Sequence, residues 1–76
     1  MNFKEWLEYN PQNLDTTEID CSSSELTDLD GIEQFTKLKK LNCKNNKLHE
    51  IPEIPNIIEL DCSENKLERL PELTRV

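Results

Sequence analysis

One eight-residue pattern limits what this chain can become. Leu41-Asn42-Cys43-Lys44-Asn45-Asn46-Lys47-Leu48 recurs as Leu60-Asp61-Cys62-Ser63-Glu64-Asn65-Lys66-Leu67. A degenerate copy precedes both, as Ile19-Asp20-Cys21-Ser22-Ser23-Ser24-Glu25-Leu26. The shared form is Leu/Ile-x-Cys-x-x-Asn/Ser-x-Leu. Between copies, apolar residues fall at every third position: Leu26, Leu29, Ile32, Phe35, Leu38 and Leu41, then Leu48, Ile51, Ile54, Ile57 and Leu60. A cysteine follows each run two positions on, and a last run begins Leu67, Leu70, Leu73 and Val76. A step of three matches neither the helical period nor the two-residue alternation of a strand. It suits a coil that makes one superhelical turn per unit. The single step of two then marks a short strand, where alternate residues face inward.

The cysteines are spaced 22 and 19 residues apart. Repeats of about 20 to 29 residues with this L-x-x-L-x-L/C-x-x-N-x-L layout mark leucine-rich repeats, and residues 16–76 resemble proteins of that family. Leu29-Asp30-Gly31-Ile32-Glu33-Gln34-Phe35-Thr36-Lys37-Leu38 resembles the longer repeats of internalin-like proteins. Ile51-Pro52-Glu53-Ile54-Pro55 and Leu70-Pro71-Glu72-Leu73 resemble the shorter repeats of secreted bacterial effectors. Cysteine at the strand position is similar to repeat arrays of bacteria and giant viruses. The resemblance implies an α/β fold: a leucine-rich-repeat solenoid with three short parallel strands on a concave face and a mostly irregular convex side. Pro52, Pro55 and Pro71 fit the convex side, since proline lacks the amide a sheet needs. Ile32–Thr36, after Gly31 and without proline, is expected to form a short helical turn; the shorter unit is expected to run extended.

Residues 1–15 match no repeat. Asn2 is placed to cap a helix through Tyr9, with Phe3, Trp6 and Leu7 on one face. Asn10-Pro11 ends it, because a residue before proline avoids the α region. The expectation is an N-terminal helical cap over the open end of residues 16–76, three strand-bearing units with the last incomplete. The chain stops at Val76, the place Ile57 holds one unit earlier, before the next expected strand. That points to part of a longer array or to a covering chain, and homo-oligomerisation through the C-terminal side is one way to supply the cover.

A chain of 76 residues makes one small domain. Nine basic against sixteen acidic residues leave a net charge of −7. That argues against sequence-independent nucleic-acid binding, which needs Lys and Arg to neutralise phosphates, and against docking on anionic membrane. No apolar run is long enough to span a bilayer, and the polar start is no secretory signal. Three cysteines, an odd number at matching repeat positions, fit reduced thiols in a cytoplasmic compartment better than a disulfide framework. The effector-like repeats add the alternative that the chain is delivered into a host cell.

A column formed by Cys21, Cys43 and Cys62 raises a metal or redox reading. The register points it into the core, and no paired C-x2-C ligands accompany it. Asn46 and Asn65, with Ser24 in the first copy, stand where the chain turns inward. They are expected to satisfy buried amides as an asparagine ladder, with the shorter Ser24 leaving the first unit looser. His49 is expected in solvent, with no partner placed for catalysis. No phosphate-binding or hydrolase motif is present, so no enzyme and no cofactor is expected. Strand alternation turns nine residues outward in three rows: Glu18-Lys40-Glu59, Asp20-Asn42-Asp61 and Ser22-Lys44-Ser63. They are at once a self-neutralising charge ladder and the candidate face for a protein partner. The face carries no aromatic residue, which makes it poor in binding hot spots. The expected function is a non-enzymatic interaction module using this concave face or the adjacent edge. The alternative is the recognition arm of a larger secreted effector of the ubiquitin-ligase type.

Overall fold

The computed structural model describes residues 1–68. The expected positions Leu70, Pro71, Leu73 and Val76, and the incomplete last unit they belong to, lie outside the described residues. Helix α1 spans Phe3–Tyr9; strands β1, β2 and β3 span Glu18–Asp20, Lys40–Asn42 and Glu59–Asp61; a 3₁₀ turn spans Ile32–Gln34. The strands form one parallel sheet in the order β1-β2-β3. Their register pairs Glu18 with Lys40 and Glu59, Ile19 with Leu41 and Leu60, and Asp20 with Asn42 and Asp61.

Each strand buries its middle residue and exposes or half-exposes its flanks. The every-third apolar residues Leu26, Leu29, Ile32, Phe35, Leu38, Leu48 and Ile54 join the same core, while Ile51, Ile57 and Leu67 pack against it partly buried. The longer unit has its helical turn after Gly31, whose φ of +100° favours a residue without Cβ. The shorter unit, with Pro52 and Pro55 exposed, has no helix across residues 51–58. The difference of three residues between units is thus absorbed opposite the sheet.

Helix α1 forms where its caps dictate. The Asn2 side chain accepts from the Glu5 amide at 2.8 Å and the Glu5 carboxylate accepts back from the Asn2 amide at 3.4 Å, a capping box. The helix ends at Asn10, whose backbone and side-chain amides both donate to the Trp6 carbonyl. Phe3 and Trp6 are buried and stacked at 5.6 Å, and Phe35 meets Phe3 edge-on at 6.3 Å. Backbone bonds continue this contact. The Thr27 amide donates to the Met1 carbonyl at 3.0 Å, as the Glu68 amide, two units later, donates to the His49 carbonyl at 3.0 Å.

The inward turns are held by asparagine. Asn46 Oδ1 accepts from the Ser24 and Leu26 amides at 3.0 and 2.9 Å. Its Nδ2 donates to the carbonyls of Cys21 and Cys43 at 3.0 and 2.9 Å. Asn65 repeats this one unit on, accepting from Leu48 N and donating to the Cys43 and Cys62 carbonyls. Each asparagine bonds within its own unit and to the unit before it. Ser24 belongs to the first unit and has no earlier turn to reach; its hydroxyl donates to the Ser22 carbonyl at 3.0 Å, and Asn46 serves its amide. Ser24 thus makes one side-chain bond where Asn46 makes several, and among the described residues no buried side-chain polar atom lacks a partner.

Asn46→Ala strips the Ser24 and Leu26 amides and the Cys21 carbonyl of a partner. At about 1–3 kcal/mol for each buried group left unsatisfied, with some regained from water, the expected loss is roughly 3 kcal/mol or more. Asn65→Ala, at a less buried site with one amide served, is expected to cost about half as much. Urea unfolding midpoints at unchanged m-value measure both, and equal losses would contradict this account of the ladder.

Candidate functional site

The outward face of the sheet is where side chains collect above a closed core. An open depression there is lined by Glu18, Asp20, Lys40, Asn42, Glu59, Asp61 and Ser63, over Ile19, Leu41, Leu60 and Cys62 and beside Leu67. Seven of the nine expected surface residues are therefore brought together. Ser22 and Lys44 are not part of that lining; they lie just beyond the strand ends.

The first row carries charge. Lys40 Nζ stands 3.8 Å from Glu59 Oε1. Glu18 is in register with Lys40, yet Lys40 closes its ion pair on the other side. Both partners are well exposed, so the pair contributes only about 0.2–1 kcal/mol. A second cross-unit pair, Lys37 with Asp15 at 3.9 Å, lies off the sheet. The charge ladder expected across the strands is thus present as alternating sign, with one close pair within the row.

The second row does a backbone job that the alternation alone does not reveal. Asp20, Asn42 and Asp61 each accept the amide two residues on, from Ser22, Lys44 and Ser63, at 3.0, 3.1 and 3.1 Å. These are Asx-turns, which bend the chain out of the strand. In the outer units the serine hydroxyl also donates to the same carboxylate, at 2.7 Å from Ser22 and 2.6 Å from Ser63. These bonds hold both aspartates below the usual carboxylate value, the hydroxyl bond contributing most and the backbone bond next. The Asp-x-Ser spelling in both outer units was the available signal for this turn.

Two residues past each cysteine the chain takes a left-handed turn: φ is +50° at Ser23, +57° at Asn45 and +56° at Glu64. Asparagine tolerates that conformation better than serine or glutamate. Asn45 also donates to the Ser23 hydroxyl at 3.0 Å. The chemistry of the loop positions is therefore spent on turning the chain.

The cysteines are core residues, with relative exposures of 1, 0 and 3 % at Cys21, Cys43 and Cys62. All three are free thiols. Burial pushes the Cys21 thiol up to about 12, with the Asp20 charge adding to it. Burial, then the neighbouring Cys21 and Cys62, then Asp61, raise Cys43 still further. Cys62 is raised by burial first and Asp61 second. Thiolate chemistry is suppressed at each. Among the described residues no group of His, Cys, Asp and Glu is arranged to hold a metal ion. His49 is exposed, with Nδ1 3.6 Å from Glu68 Oε1. No helix among the described residues is long and apolar enough to cross a membrane.

Two outcomes test this geometry. All three thiols should react with a disulfide reagent far more slowly in native protein than in urea, on the order of a hundredfold or more given their closure in the core; rapid native labelling of Cys43 would contradict it. Ser63→Ala should lower stability near pH 6 by less than about 1 kcal/mol, the exposed site being screened by water. Because the folded carboxyl of Asp61 lies below its ordinary 3.8, that stabilisation is complete above the ordinary value and is lost as pH falls through the folded one. The gap between variant and wild type should therefore narrow from pH 6 to pH 2.

Residues 17–56 match the family model described as leucine rich repeats in two copies. No curated protein and no solved structure matches the chain.

Proposed function

This chain belongs to the leucine-rich-repeat family, and from that premise we propose that it is a non-enzymatic protein-interaction module whose contact surface is the outward face of β1, β2 and β3. The observation that carries the reading is the register. It sets Glu18, Lys40 and Glu59 in one row and Asp20, Asn42 and Asp61 in the next, above a row that is entirely buried. The variable residues of the repeat are thereby gathered on one open face, and its invariant residues are spent on core and turns. Stacked repeats present such surfaces to protein partners.

On this reading the architecture is a short solenoid. Helix α1 is its N-terminal cap: Phe3 and Trp6 bury apolar surface that the first unit would otherwise expose, and Met1 and Phe3 bond to Thr27 and Asp28. The partner is a protein rather than nucleic acid or membrane, in keeping with the net charge of −7. Buried free thiols support a reducing, cytoplasmic setting.

Charge reversal by Lys40→Glu and Lys44→Glu together tests the surface. Both side chains are exposed, so the fold should survive, as circular dichroism would check. Captured protein partners should bind at least about tenfold more weakly, in line with like charges placed against a complementary surface. Partners indifferent to the reversal would move the contact away from this face.

A further inference from the structure

The outward face has an order of polar groups that selects a ligand geometry. In the first row a lysine stands between two glutamates, Glu18-Lys40-Glu59. In the second row Asn42 stands between Asp20 and Asp61. The Oδ1 of Asn42 is committed to the Lys44 amide at 3.1 Å, and its Nδ2 has no partner among the described residues. The middle strand therefore offers donors in both rows, and the flanking strands offer carboxylates in both. All six side chains line the same open depression.

Resting on the interaction-module reading, we infer that this face takes an α-helix of a partner protein, lying across the strands, with its contact residues in the order basic, acidic, basic. The spacing favours a helix. Adjacent strands are about 4.8 Å apart, and residues on one helix face advance about 5.4 Å per turn. Three residues at i, i+4 and i+7 therefore meet three consecutive strands. A crossing β-strand repeats its facing side chains every ~6.7 Å and falls out of step by the third strand. A segment running along β2 would meet donors only and would carry its acidic groups between two carboxylate rows. In the crossing helix the central carboxylate reaches Lys40 Nζ and Asn42 Nδ2, while the outer basic residues meet Glu18 with Asp20 on one side and Glu59 with Asp61 on the other. Net charge alone would favour a uniformly basic ligand; the position of Lys40 makes order the discriminating property.

The test uses two alanine-rich helical peptides of about 18 residues, long enough to hold helix, identical in composition. One carries Lys, Glu and Lys at i, i+4 and i+7; the other carries Lys, Lys and Glu. Each is titrated into the ¹⁵N-labelled full chain. The Lys-Glu-Lys peptide should shift the amides of residues 40–42 and bind about fivefold tighter than its isomer, as expected for two misplaced exposed charge pairs. Lys40→Glu should erase that preference. Equal binding of the two isomers, shifts away from the strands, or no shift up to a few millimolar peptide would each overturn the inference. If the isomers bind alike while protein partners remain sensitive to reversal of Lys40 and Lys44, the interaction surface stands and only the charge order falls.

Discussion

A backbone that turns inward after every strand carries amides into the core where no neighbouring strand can reach them. Unpaired, each would cost as much as several apolar contacts return. The carboxamide of Asn46 resolves this with one side chain, taking the Ser24 and Leu26 amides on its oxygen and the Cys21 and Cys43 carbonyls on its nitrogen. The rest follows from that economy. With the turns closed, the strands can be three residues long. With the strands so short, one buried side chain per strand and one cysteine after it suffice to join the apolar residues of the turns in a single core.

The same tight geometry decides what the surface can be. Residues beside the strand are partly consumed by turning: Asp20 and Asp61 hold serine amides and hydroxyls, and the positions two past each cysteine adopt left-handed backbone. What remains at liberty is a narrow set at the strand starts, Glu18, Lys40 and Glu59. Sign alternates from unit to unit there, so each strand meets a neighbour of opposite or neutral character. Exposed pairs such as Lys40 with Glu59 hold neighbouring units together only weakly.

Much of this was legible in the residues. The step of three with one step of two marks the three described strands, and their register sets the first two outward rows in order. Asn2, the Phe3/Trp6/Leu7 face and Asn10-Pro11 bounded the helix. Gly31 marks the 3₁₀ turn at Ile32–Gln34. Less was legible where side chains choose among neighbours. Alternation pairs Lys40 equally with Glu18 and Glu59, and only the folded geometry selects Glu59. Alternation also treats Asp20, Asn42 and Asp61 as free surface, although a local bond to the amide two residues on competes for them. The direction in which the asparagine ladder reaches, back to the unit before, is a property of the stack and not of the single repeat.

The 3₁₀ turn at Ile32–Gln34 has a wider meaning for how such a chain can vary. Units of 22 and 19 residues deliver their strands in the same register, so the extra length is confined to the side away from the sheet. Segment length and face composition are thereby separable traits. Insertion or loss of one 3₁₀ turn can alter the outer wall and leave the outward rows in place, whereas a change between the strand leucine and the asparagine would shift the ladder, the core and the surface at once. Indels should accumulate in the first compartment and be purged from the second.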